Sequence, residues 1–122
     1  MSIEAKELRI GNYIQRLDLG NNQKRIEQVI EISEKATTTG AIKVICDYND
    51  ISPIKLTEQW LIDLGFIKPL NASYCELCEI ELDLSKGIRY FIFGKLKSVN
   101  LEYVHQLQNL YHALTGKELI KQ

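Results

Sequence analysis

The chain has 122 residues, 45% of them hydrophobic and 25% charged, with a formal net charge of −1. A domain of that size can bury ~65% of its unfolded surface and needs no disulfide or metal staples. The near-zero charge excludes a global pull towards nucleic acid or anionic lipid, and no apolar run reaches the ~18 residues of a membrane-spanning helix.

The opening residues, Met1-Ser2-Ile3-Glu4-Ala5-Lys6-Glu7, carry acidic side chains where a secretory signal needs an apolar core. Three cysteines are an odd number, in a chain able to fold without bridges. A reducing cytoplasm is therefore the expected location. Segment Ile10–Leu17 reads as a strand entered through Gly11, and Gly20-Asn21-Asn22 reads as a turn. Ile26–Ile32 is rich in β-branched residues and predicts a second strand. Ser33–Gly40 reads as a polar loop. Ala41–Asp47 alternates, with Ile42, Val44 and Cys46 on one face, and predicts a third strand. Residues 1–50 thus form a β-rich half, expected to be a small, curled, barrel-like antiparallel sheet.

Residues 51–122 begin with a linker holding Pro53. A short helix follows from Thr57, which suits the cap position, to Gly65, which can end it in the left-handed conformation with Phe66 folded back. Trp60, Leu61 and Leu64 are its expected anchors. Cys78–Leu84 alternates as a strand, and Ser85-Lys86-Gly87 reads as a three-residue hairpin loop. That register sets Leu84 opposite Ile88, Leu82 opposite Tyr90, Ile80 opposite Ile92, and Asp83 opposite Arg89. Phe91 and Phe93 fall on the other face. After a bend near Gly94-Lys95, Val99, Leu101 and Tyr103 alternate as a further strand. Val104–Thr115 is the strongest helix, stopped by Gly116, with Leu119 able to dock beyond it. The expectation is a single α+β domain over residues 1–122. It comprises the N-terminal sheet, a short helix, an antiparallel hairpin sheet and a C-terminal helix packed on that sheet.

That last helix is unusual. From Tyr103 to Gly116 there is no Lys, Arg, Asp or Glu, whereas a surface helix normally carries charges on its outer face. Val104, Leu107, Leu110, Tyr111 and Leu114 make an apolar stripe. His105, Asn109 and His112 make a second stripe almost opposite, with Gln108 beside it. A buried helix with internally satisfied polar groups accounts for the pattern. So does a recognition surface in which His105, Gln108, Asn109, Tyr111 and His112 bind a ligand or partner without fixed charge. Histidine catalysis has little to build on, because no nucleophile or second acid is visibly paired with either histidine. No catalytic residue is assigned.

Other constellations are weaker. Cys75-x-x-Cys78 has metal-site spacing, but residues three apart on a strand point to opposite faces. His105 and His112, seven apart, depart from the close pair of a zinc site. No metal and no cofactor are expected. Lys86, Arg89, Lys95 and Lys97, interleaved with Tyr90, Phe91 and Phe93, resemble a nucleic-acid strip. The neighbouring Glu76, Glu79, Glu81 and Asp83 would neutralise much of its field. No phosphate-binding glycine loop or nucleophile elbow occurs.

Two stretches carry a family resemblance: Lys6-Glu7-Leu8-Arg9-Ile10-Gly11-Asn12-Tyr13-Ile14, and Tyr103-Val104-His105-Gln106-Leu107-Gln108-Asn109-Leu110-Tyr111-His112-Ala113-Leu114-Thr115-Gly116-Lys117-Glu118-Leu119. With Pro53-Ile54-Lys55-Leu56-Thr57-Glu58-Gln59-Trp60-Leu61 between them, the chain resembles a family of small uncharacterised proteins of Bacteroidetes genomes, prophages and phages. The resemblance implies a mobile-element setting and brings no activity or catalytic residue. The leading expectation is a non-enzymatic interaction protein that occupies a host protein or self-associates into a homo-oligomer. A small-molecule binder, for example of a nucleotide signal, is the second. It would use His105, Gln108, Asn109 and His112 with Tyr111 or Trp60. A nucleic-acid accessory factor using the 86–97 strip is the third.

Overall fold

A computed structural model describes residues 7–18, 23–32, 36–39, 44–78, 80–92 and 97–122. The expected turn at Gly20-Asn21-Asn22, the bend at Gly94-Lys95, and Ile42, Glu79 and Phe93 lie outside them. The elements in order are β1 (Tyr13–Asp18), β2 (Gln23–Ile32), β3 (Ala36–Thr39), β4 (Val44–Asp47), a 3-10 turn (Tyr48–Asp50) and β5 (Ile51–Ser52). Then come α1 (Glu58–Asp63), β6 (Tyr74–Leu77), β7 (Ile80–Asp83), β8 (Arg89–Ile92), β9 (Lys97–Asn100) and α2 (Val104–Thr115). They build a five-stranded sheet of order β4-β3-β2-β1-β5 and a four-stranded sheet of order β6-β7-β8-β9, antiparallel throughout. The α+β class is the expected one. The N-terminal sheet is open, not closed into a barrel, with β4 and β5 at opposite edges.

The first strand starts later than its sequence pattern. Asn12 N–H donates to the Arg9 carbonyl at 3.1 Å, and Asn12 Oδ1 accepts from Arg9 N–H at 2.6 Å. These bonds close a turn, so Ile10 lies outside the ladder and 61% exposed. The segment Ser33–Gly40 has the composition of a loop, yet β3 runs through it, paired to β2 across a bulge and to β4. Threonine is polar in composition but β-branched in shape, and three in a row at 37–39 fit a pleated surface. Thr39 is fully buried and donates to Glu27 Oε2 at 2.8 Å. The other oxygen of Glu27 lies 2.5 Å from Arg16 Nη2, and the guanidinium holds this carboxyl below the usual carboxylate range. Leu8, Ile14, Val29 and Ile51 form a small apolar core for this half.

In the second half the local signals hold closely. Thr57 caps α1 by accepting from Trp60 N–H at 3.3 Å. At the other end Phe66 N–H donates to the Leu61 carbonyl at 2.9 Å and Gly65 N–H to the Ile62 carbonyl at 3.0 Å. This nested pair of bonds needs a left-handed residue between them, and Gly65 has φ +102°. The 85–87 hairpin pairs Leu82 with Tyr90 and Asp83 with Arg89 as expected, and the latter two form an ion pair at 2.6 Å.

A further strand, β6, has no clear signal in the sequence pattern. It pairs with β7 through Leu77 and Ile80, so Cys78 lies in a tight turn at φ +49° and not in a strand. No Gly, Asn or Pro marks that turn in the sequence. Burying Cys75 opposite Leu82 (1% and 0% exposed) offsets a strain of order 1 kcal/mol.

The larger core joins Leu61, Leu64 and Phe66 to Leu82 of the sheet and to Val104, Leu107 and Tyr111 of α2. The linker also contributes. Leu56 N–H donates to the Glu102 carbonyl at 2.9 Å, and Val104 N–H to the Ile54 carbonyl at 2.8 Å. The chain leaving the first sheet is thereby pinned to the start of α2.

Replacing Gly65 by alanine forces a side chain into the left-handed region, where its Cβ would also meet Gln122 Cγ at 3.1 Å. The expected outcome in urea unfolding is a loss of about 1–2 kcal/mol.

Candidate functional site

From Val104 to Tyr111 the neutral helix is shielded by its own chain, while Ala113 and Leu114 in its last turn are exposed. Val104, Leu107 and Tyr111 face the core, at 0%, 0% and 5% exposed. The polar stripe is covered from two directions. The segment Glu7–Tyr13 crosses it, and the residues after Gly116 return beside it. Gly116 provides the turn with φ +74°.

Gln108 is the centre of this arrangement and fully buried. Its Oε1 accepts from Tyr13 N–H at 2.8 Å. Its Nε2 donates to the Gly11 carbonyl at 3.0 Å and to the Leu119 carbonyl at 2.9 Å. One carboxamide thus ties β1, the turn before it and the C-terminal segment to α2, and its bonding capacity is filled. Asn109 does the same one residue on. Its Oδ1 accepts from Asn12 Nδ2 at 2.9 Å and from Arg9 Nη1 at 3.0 Å, while its Nδ2 donates to the Glu7 carbonyl at 2.9 Å.

Arg9 also pairs with Glu118, which lies against Gly11. At φ +99° Gly11 leaves room, since a Cβ there would come within 3.2 Å of Glu118 Oε2. Beyond it, Leu119 docks at 2% exposure. Lys121 N–H donates to Tyr13 Oη at 3.0 Å, and its ammonium sits 4.4 Å from the Trp60 ring centroid.

The two histidines differ. His112 keeps 43% of its side chain exposed, with Nε2 3.8 Å from Glu118 Oε1. His105 is 1% exposed, its ring stacked on Tyr103 at 5.9 Å, and neither ring nitrogen makes a hydrogen bond. Glu7 Oε1 approaches Nε2 only to 3.9 Å. Burial pushes the imidazole below its ordinary pKa of 6.5, against the pull of Glu7.

Of the sequence candidates, His105, Gln108 and Tyr111 therefore present almost no surface to a ligand, and Asn109 is committed to the chain. The sequence signal was sound as to polarity, because carboxamides on a neutral helix demand partners. The partners Arg9, Gly11, Asn12, Glu118 and Leu119 carry no such signal.

The remaining candidates separate. Cys75 is buried, its thiol pushed up to about 11 by desolvation. Cys78 lies in the exposed turn beside Tyr111, whose hydroxyl pKa is raised by that thiol and by burial. The two cysteines diverge and are free. Among the described residues no group of three His, Cys, Asp or Glu is placed to hold a metal ion. Nor is any helix there long and apolar enough to cross a membrane. In the basic strip, Lys86 is exposed. Arg89 is engaged by Asp83 and lies over Phe91 at 4.9 Å. Lys95 and the side chain of Lys97 are outside the described residues. Compared with family models, curated proteins and solved structures, the chain matches none.

Gln108→Leu strips the Tyr13 N–H and the Leu119 carbonyl of this partner inside the protein and leaves the Gly11 carbonyl with Gln28 Nε2 alone, at 3.0 Å. Urea denaturation is expected to show a loss of about 3 kcal/mol or more. His105 gives a pH dependence of definite sign. Its folded pKa is depressed, so its contribution is complete above pH ~6.5 and is lost as pH falls from there towards the folded value. Urea midpoints between pH ~7.5 and ~5 should fall in the wild type and fall less in His105→Leu.

Proposed function

We propose that the chain is a non-enzymatic binding protein, and that the surface it offers is the apolar stretch from the end of α1 to the turn before β6. One observation carries this reading: Leu70 is 93% exposed, Ile67 67% and Ile62 52%. These side chains stand on ordered backbone. Ile62 lies in the capped last turn of α1. Ile67 exchanges two hydrogen bonds with Glu76 at 2.9 and 3.0 Å, and the turn at Leu70 is closed from Ala72 N–H to the Pro69 carbonyl at 3.0 Å. Large apolar side chains held out on a fixed frame favour a docking role.

The favoured occupant is a second copy of the chain. A net charge of −1 sets little repulsion between copies, and such contacts close most readily about a two-fold axis. The family resemblance of residues 6–14 and 103–119 supports a cytoplasmic phage or mobile-element setting. A host protein is the other occupant that setting provides.

Sedimentation velocity tests the reading. The wild type is expected to gain mass with concentration over about 1–300 µM. Ile67→Asp combined with Leu70→Asp should stay monomeric with an unchanged circular dichroism spectrum. A wild type that remains monomeric throughout overturns the second copy as occupant.

A further inference from the structure

A cleft of about 460 Å³ opens between the linker after Pro53, the hairpin loop between β7 and β8, and the junction of β9 with α2. It lies apart from the 62–70 stretch and does not depend on it. Its volume falls within the range of small-molecule sites. Leu56, Ile88 and Leu101 supply apolar wall, and Leu56 and Leu101 are themselves anchored in the fold at 5% and 6% exposed.

The polar groups of the cleft are mainly donors. Lys55 and Lys86 reach it from different segments, both exposed. Neither forms an ion pair with a described residue. Asp83, just before the hairpin loop in the chain, is already held by Arg89 and by Ser85 Oγ. Gln106 contributes a donor too. Its Oε1 accepts from Glu102 N–H at 2.9 Å and Tyr103 N–H at 3.0 Å, so its NH2 is the part left for a ligand. Glu102 is the single carboxylate in the lining, against two ammonium groups.

We infer that this cleft binds a small organic anion, with its phosphate or carboxylate between Lys55 and Lys86 and its apolar or planar body against Leu56, Ile88 and Leu101. The chemistry is that of point-charge donors converging on an acceptor-rich group. Both lysines are solvated and carry little binding energy individually. The affinity therefore belongs in the range of about 10 µM to 1 mM, with marked salt dependence.

Titration of the 15N-labelled full chain, followed by amide shifts, tests this with three probes: adenosine monophosphate, inorganic phosphate and citrate. Saturable shifts at Lys86–Ile88 and Asn100–Gln106 are expected. Shifts with the two phosphates alone assign a phosphate site, and shifts with citrate as well assign a general anion site. Lys55→Glu combined with Lys86→Glu should weaken binding at least ~10-fold, while Lys24→Glu on β2 should leave it unchanged. The proposal is overturned if no probe gives saturable shifts in those segments by about 10 mM. It is equally overturned if the double variant, folded by its amide spectrum, binds as the wild type does.

Discussion

A carboxamide has one oxygen that accepts and two hydrogens that donate, and inside a protein each must find a partner or cost about 1–3 kcal/mol. Gln108 meets this demand with Tyr13 N–H, the Gly11 carbonyl and the Leu119 carbonyl, from segments near opposite ends of the chain. The bonds are directional, so they fix more than distance. They set the angle at which β1 leaves its turn and the place where the C-terminal segment comes to rest. Asn109 repeats the logic with Asn12, Arg9 and the Glu7 carbonyl. The arrangement works because α2 carries no charge. A lysine or glutamate at position 108 would bring an ion into a space closed to water, at far higher cost.

Around this clasp the halves are coupled by few but specific links. The N-terminal sheet has its own small core at Leu8, Ile14, Val29 and Ile51. Tyr13, the first residue of β1, turns instead to the larger core and meets Trp60 at 5.5 Å between ring centroids. The linker 54–56 bonds to residues 102–104 on the other side of α2's first turn. The helix is thus held at its start by the linker, along one face by the N-terminal segment, and beyond its end by Leu119. His105 sits within this enclosure without a hydrogen-bond partner. It is the weakest point of the polar arrangement, and the group through which acid would loosen it.

The clasp also bears on function. Of the polar groups that looked most like a binding site in the sequence, Gln108 and Asn109 are spent on the fold and His105 is buried, while His112 stays partly exposed. The surfaces proposed for other molecules lie elsewhere: apolar side chains on a fixed frame at 62–70, and a donor-lined cleft built from three separate segments. Residues 7–13 and 108–119 meet across the clasp through the hydrogen bonds of Gln108 and Asn109 and the Arg9–Glu118 ion pair.

Local rules were legible wherever one element answers its own sequence. The cap at Thr57, the left-handed stop at Gly65, the span of α2 and the 85–87 hairpin register all follow from short-range geometry and binary pattern. The same rules failed where a neighbour decided. β3 exists because β2 and β4 offer partners to a threonine run, and Cys78 turns because Cys75 gains burial against Leu82. The sequence by itself determined that α2 must be covered, since neutral amides and an apolar stripe cannot both face water. Only the tertiary structure decided by what, because hydrogen-bond partners at a separation of about a hundred residues are chosen by packing and leave no periodic trace in the chain.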